Sequence, residues 1–551
     1  NAGDGNTTGN RNISVGRAAL VSPDTENDNL AIGHNALGGS VAGGELNVAV
    51  GNYTLDALTS GDNNVAVGYS AGTAVTTGHR NTLMGQGAGE ALTTATHTVA
   101  IGNAAASGYD TETENLAIGH AALGGSVAGG EFNIAIGNNS LDALTSGDKN
   151  TTVGYEAGSA LTTGDENVII GHKAARTGVL TGNNNVIMGE SAGLNMTSGA
   201  DNVIIGKTAV GTGVLTGNEN VVIGGAAGAS MTSGTKHVLI GFNAGNAIPN
   251  QTDGSVCVGY EAGKDLTTGG SVFVGPYAGA NVTTGSANTM IGYGAGNDFD
   301  TEDNNIGIGT QSLGGSIAGG EKNVAIGNNT LDALTSGDDN LAAGYNSGTN
   351  ITSGTDNVAI GKDAMSVVVG GSGNICLGSG ADVADGAADF TTAIGFQVGG
   401  TAGYTTIGKT TDDIRAAHGN TTWNTVSDER FKKNIETSDA GLAVINDLRP
   451  VTYNWKTKGE VPEWSEIYEQ GSNEQYKNSK HNHGFIAQEV KAVIDSHSEL
   501  KDGFNMWDER PDGQQEVGET AIVPILVKAV QELSATVTTL QQEIKILKEG
   551  L

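Results

Sequence analysis

The sequence predicts a mainly β protein, in which a long parallel β-solenoid precedes a small α+β domain ending in a coiled coil. Three observations carry this reading. Glycines recur at a spacing of about 17 residues through the first three quarters of the chain. The composition changes abruptly past residue 410. Residues 526–551 place apolar side chains at alternating intervals of four and three. The domains predicted are thus a repetitive shaft over 1–410, a linker over 411–426, and a C-terminal domain over 427–551.

The shaft is legible from its repeat. Gly33, Gly51, Gly68, Gly85, Gly102, Gly119, Gly137 and Gly154 form a column that resumes at Gly327, Gly344, Gly361, Gly378 and Gly395. A typical unit reads NVAIGNNTLDALTSGDDN: an Asn, a short apolar run, a closing Gly, then a turn. Larger blocks also recur, since NLAIGHNALGGSVAGGELNVAVGN from Asn29 returns from Asn115 and, less closely, from Asn305. At about 3.3 Å per extended residue, such a unit is expected to close one coil of two short strands and two turns, with coils about 4.8 Å apart. About two dozen coils then give a rod on the order of 100 Å long.

Each part of the unit has a predicted role. Asn47, Asn64, Asn133, Asn150, Asn167, Asn185, Asn202, Asn323, Asn340 and Asn357 lie four residues before their Gly, so stacking lines their amides into a ladder. The Gly column marks a bend that needs positive φ or close backbone approach. In the apolar run, Val48 and Val50 point one way and Ala49 the other. One face fills the coil. The other, mostly Ala, Ile or Cys, is expected to pack against a neighbouring chain, which predicts a homotrimer.

Composition narrows the function. With 88 Gly and a hydrophobic share of 37%, the chain does not support several ordinary globular cores. A net charge of -33 opposes binding to nucleic acid and to anionic membranes. No apolar run is read as long enough for membrane insertion, and no N-terminal signal is read. The chain starts at Asn1, so an upstream attachment segment is expected. Cys257 and Cys376 are read as packing residues. No cofactor or metal is predicted: His481 and His483 are taken as loop residues, and the Asp of the TSGD turns as turn formers. No singular pair of carboxylates breaks the repeat, as a glycosidase groove would require.

VGYSAG from Val67, VGYEAG from Val153 and IGYGAG from Ile291 resemble the head repeats of trimeric autotransporter adhesins, a parallel β-roll. The similarity covers about residues 12–408, with a longer repeat here than is usual in those adhesins. Neither a neck sequence nor anchoring barrel strands are read, which favours a phage fibre over a surface adhesin.

SDERFKKNI at 427–435, HGFIAQEV at 483–490 and the closing heptads resemble the intramolecular chaperone autoprocessing domain that ends many phage tail spikes, tail fibres and endosialidases. That resemblance implies a cut at the Val426–Ser427 bond, with Ser427 as nucleophile and Lys432 as general base. A Ser–Lys pair is a recognised nucleophile and base arrangement, provided the amine is neutral. Asp428 and Arg430 match the motif as orienting residues, while Phe431 stands where Leu is commoner.

The resulting expectation is a trimeric phage tail fibre, assembled in the host cytoplasm and carried on the virion. Its C-terminal domain directs trimerisation and folding and then leaves by acting once on its own chain. Expected partners are two further copies, a bacterial surface receptor of glycan or outer-membrane type, and a tail or baseplate protein reached through an upstream region. A polysaccharide-degrading tail spike and a bacterial trimeric adhesin are the alternatives.

Overall fold

The computed structural model describes residues 1–21, 25–40, 43–108, 110–125, 129–249, 254–315, 320–420, 423–424, 427–465, 467–500, 504–510 and 513–550. The chain divides into two compact units, Asn1–Val426 and Ser427–Leu551.

The first unit is a β-solenoid. Its described residues include 22 strands of three residues each, from Ile13–Val15 to Ile375–Leu377. Successive strands pair in parallel and in register, as Val48, Ala49 and Val50 do with Val65, Ala66 and Val67. The central residue of each triplet points inward: Ala49, Ala66, Ile169, Cys257 and Phe273 are fully buried. Leu55, Leu58 and Ala71, from the turn side of the coil, close the same core.

Two expectations about the coil are corrected here. Among the described residues, the coils hold one short strand, not two, except at the end of the stack, where Asp382–Val383 and Gly399–Gly400 pair in parallel as second strands. Gly51 sits at φ 141°, and Tyr53, Leu55 and Asn63 follow in the left-handed region at 59°, 50° and 58°, so the rest of the circuit is turn. A Cβ on Gly51 would lie 2.2 Å from the carbonyl oxygen of Gly68 in the next coil. The column therefore admits no side chain.

The faces of the triplet are also the reverse of those expected. The Ala, Ile and Cys column fills the interior, because the narrow coil leaves little space opposite its turn side. The flanking Val, Ile and Leu face outward and stay partly exposed: Ile32, Ile134, Ile308, Ile326 and Ile360 are among them.

The Asn ladder forms. Asn64 Nδ2 donates to Asn47 Oδ1 at 3.1 Å and to the Gly78 carbonyl at 2.9 Å, while Asn64 N donates to Asn47 Oδ1 at 2.9 Å. Buried amides thus satisfy one another and the backbone from coil to coil. Part of the segment expected as a linker, 411–426, continues the sheet: Asp412–Ala417 pairs antiparallel with Tyr404–Lys409. In that final hairpin Ile407 stands against Ile414.

In the second unit, helices α1 (Leu442–Asp447), α2 (Ala487–Ser496) and α3 (Val523–Glu549) accompany two antiparallel strand pairs. Val451–Tyr453 pairs with Asn482–Gly484, and Trp507–Glu509 with Gln515–Val517. Val444, Val490, Ile494, Leu500, Met506 and Ile525 form the core. The Glu532 carboxylate of α3 accepts the Leu442 N–H at 2.8 Å and so ties α3 to the start of α1. Further along α3, Leu533, Val537, Leu540 and Ile544 remain about half exposed. Leu551, the last expected heptad position, lies outside the described residues. The helical stretch Glu519–Glu549 is long and apolar enough to cross a membrane, which the expectation of no such run had missed. Residues 521–527, AIVPILV, are a contiguous apolar run, whereas from Val530 onward the apolar residues are interspersed with Gln, Glu, Lys, Ser and Thr and make a stripe.

Candidate functional site

The segment beginning at Ser427 builds its geometry locally. Asp428 caps a single 3-10 turn, Glu429–Phe431, by accepting the Arg430 N–H at 2.9 Å. Arg430 Nε returns to the same carboxylate at 3.0 Å. This pairing holds the Asp428 carboxyl below its usual range and the Arg430 guanidinium above its own. The turn folds the chain back so that Lys432 Nζ donates to Ser427 Oγ at 2.7 Å. A five-residue separation would not meet along a regular helix, whereas one tight turn closes it.

The pair faces solvent. Ser427, Lys432 and Lys433 are exposed, and Phe431 is 80% exposed. A lysine acts as a base only as a neutral amine, a state that burial or a neighbouring cation promotes. Val426, the other side of the expected bond, lies outside the described residues.

One polar cluster escaped sequence reasoning. His497, at the end of α2, lies 2.9 Å from Asp447 of α1 through Nε2 and 2.9 Å from Glu499 through Nδ1. These hydrogen bonds, with Asp447 first, raise the imidazole's pKa. The HSE triplet was a weak signal, because Asp447 is 50 residues away. His481 and His483 hold their rings edge-on 6.3 Å apart, with His481 Nδ1 2.8 Å from Asn454 Oδ1. Among the described residues, no group of three or more His, Cys, Asp and Glu is placed to hold a metal. Burial pushes the Cys257 and Cys376 thiols up to about 12.

The second unit also contains a cleft of about 840 Å³ lined by Tyr453, Trp455, Tyr476, Phe485 and Arg510. Lys477 Nζ stands 4.3 Å over the Trp455 ring there.

A search of curated proteins and a search of solved structures each find no match to this chain. Residues 427–498, beginning at the serine of the Ser427–Lys432 pair, match the family described as chaperone of endosialidase.

Proposed function

We propose that this chain is a tail-fibre-like attachment rod of a phage, assembled as a homotrimer, whose C-terminal chaperone unit cuts itself away before Ser427. The observation that carries the reading is a coincidence at one residue. The family match, the boundary between compact units and the Ser–Lys hydrogen bond all begin at Ser427.

Trimerisation supplies what near-identical coils lack. In-register pairing of three repetitive chains offers many slipped alternatives of similar energy, and a C-terminal trimer sets the register before the coils wind. Two surfaces favour self-association: the outward Val and Ile column of the solenoid and the apolar stripe of α3. The stripe repeats Leu526, Val530, Leu533, Val537, Leu540, Ile544 and Leu547, a heptad seam that suits helix pairing better than a lipid-facing cylinder. Release after assembly makes the trimer kinetically trapped, because the nucleating element is gone.

Intact mass of freshly expressed protein, beside Ser427→Ala and Lys432→Ala, tests the proposal. The expected outcome is a wild-type chain split between Val426 and Ser427 with both variants whole. An unsplit wild type would leave a permanently attached trimerisation unit and remove the peptidase step.

A further inference from the structure

Four consecutive coils of the solenoid carry an aromatic ring just past the glycine corner: Phe242, Tyr260, Tyr277 and Tyr293. Their centroids follow one another at 5.6, 5.2 and 5.8 Å. Phe242, Tyr260 and Tyr293 are 50%, 44% and 51% exposed. The interior of these coils is already filled by Leu239, Cys257, Phe273 and Met290, so the outer rings are not core residues. Many other coils place Asn, Lys, Ser or Gln at the same position, so the coil needs no ring there; elsewhere Tyr53 and Tyr69 make a shorter run beside His34, and Tyr155 stacks on His172.

Polar groups stand beside the rings. Glu261 adjoins Tyr260 in the chain, and Asp298 receives the amides of Asn281 and Asn297 at 3.2 and 3.1 Å. At the end of the ladder, Tyr277, Tyr293, Asn297 and Gln311 line an open surface pocket of about 240 Å³.

We infer that this ladder is a binding strip for an extended, uncharged polysaccharide lying along the solenoid. The inference rests on the attachment-rod reading and names the surface that would do the attaching. A sugar unit offers an apolar C–H face to a ring and hydroxyls to amides and carboxylates, which is the mixture present here. The acidic character of the chain disfavours a polyanionic glycan at the same surface. Coil stacking at about 4.8 Å presents one ring per step, comparable with the length of one sugar unit, so a chain running along the rod meets successive rings.

The test uses the full chain with dextran, mannan, galactan and soluble xylan as neutral probes and polysialic acid as the anionic control, read by affinity electrophoresis. Tyr260, Tyr277 and Tyr293 are replaced together by Ala, and separately together by Phe. Ala already occupies the left-handed position of Tyr277 in other coils, at Ala104, Ala121 and Ala226, so the fold tolerates it. The expected result is saturable binding of at least one neutral probe, weakened tenfold or more by the Ala set and largely kept by the Phe set, with unchanged circular dichroism. No binding to any neutral probe, equal binding by the Ala set, or equal binding of polysialic acid overturns the strip. A self-cleaved trimer that binds no neutral probe overturns the strip alone and leaves the fibre reading standing.

Discussion

Lys432 Nζ donates a 2.7 Å hydrogen bond to Ser427 Oγ across one 3-10 turn whose cap is Asp428. The turn is a positioning device: Asp428 holds the Arg430 amide, and the return of the chain brings the amine to the hydroxyl. Asp428→Ala is expected to slow self-cleavage several-fold without abolishing it. Time-resolved gels of the expressed chain check this, and a rate equal to wild type would remove Asp428 from the site.

The His497 clamp predicts a pH dependence with a definite sign. Its folded pKa is raised above the unfolded value of about 6.5, so its stabilisation is complete below that value and fades as pH rises through the folded pKa. Glu499 is held low by its own backbone amide and by His497, so its contribution is lost only on acidification through the carboxylate range. From about pH 6.5 upward, until the folded pKa of His497 is passed, the second unit should therefore lose stability with rising pH. Thermal unfolding followed through Trp455, Trp464 and Trp507 reports it, and His497→Gln should flatten the trend.

Glu112 is a buried anion held by backbone. It occupies the place where other coils have the Gly of TSG, and the following coil is one residue longer, as it also is after Glu26 and Glu302. Burial pushes its pKa up, but the amides of Asp110, Glu112, Gly129 and Thr111 outweigh this and hold it below the usual carboxylate range. Its stabilisation is present above the unfolded value and disappears as pH falls through the folded pKa. Glu112→Ala should cost about 1–2 kcal/mol locally, read as faster hydrogen exchange at Thr111 and Gly129.

The glycine corner tolerates no methyl group. Gly154 has φ 138°, and a Cβ there would sit 2.5 Å from the Gly171 carbonyl oxygen. Gly154→Ala is expected to destabilise the stack by about 3 kcal/mol or more and to open a protease-sensitive site nearby. Limited proteolysis with mass mapping would locate it, and a wild-type digest pattern would contradict the close-packing account.

Leu533→Lys with Leu540→Lys puts two charges into the exposed α3 stripe. On the trimer reading, sedimentation of freshly made protein should fall from a three-chain to a one-chain mass, with aggregated shafts alongside. An unchanged mass would move the association surface away from α3.

The Asn ladder and the glycine column were legible because both depend on a position repeated coil after coil, and periodicity survives without knowledge of the fold. The direction of the Val–Ala–Val triplet was not. Alternation assigns two faces, but which one is interior depends on the width of the closed coil, and that is set by Leu55 and Leu58 crossing from the turn side. The same limit applies to 412–417, whose pairing with 404–409 is a contact and not a pattern.

By itself, the sequence determined the repeat, its register, the division near Ser427 and the identity of the candidate Ser–Lys pair, because all of these are properties of spacing and residue type. Only the tertiary structure decided which apolar column is buried, that one capped turn brings Ser427 to Lys432, and that His497 bridges Asp447 and Glu499. Those relationships arise from backbone reversals and from contacts between distant segments, which periodicity along the chain does not encode.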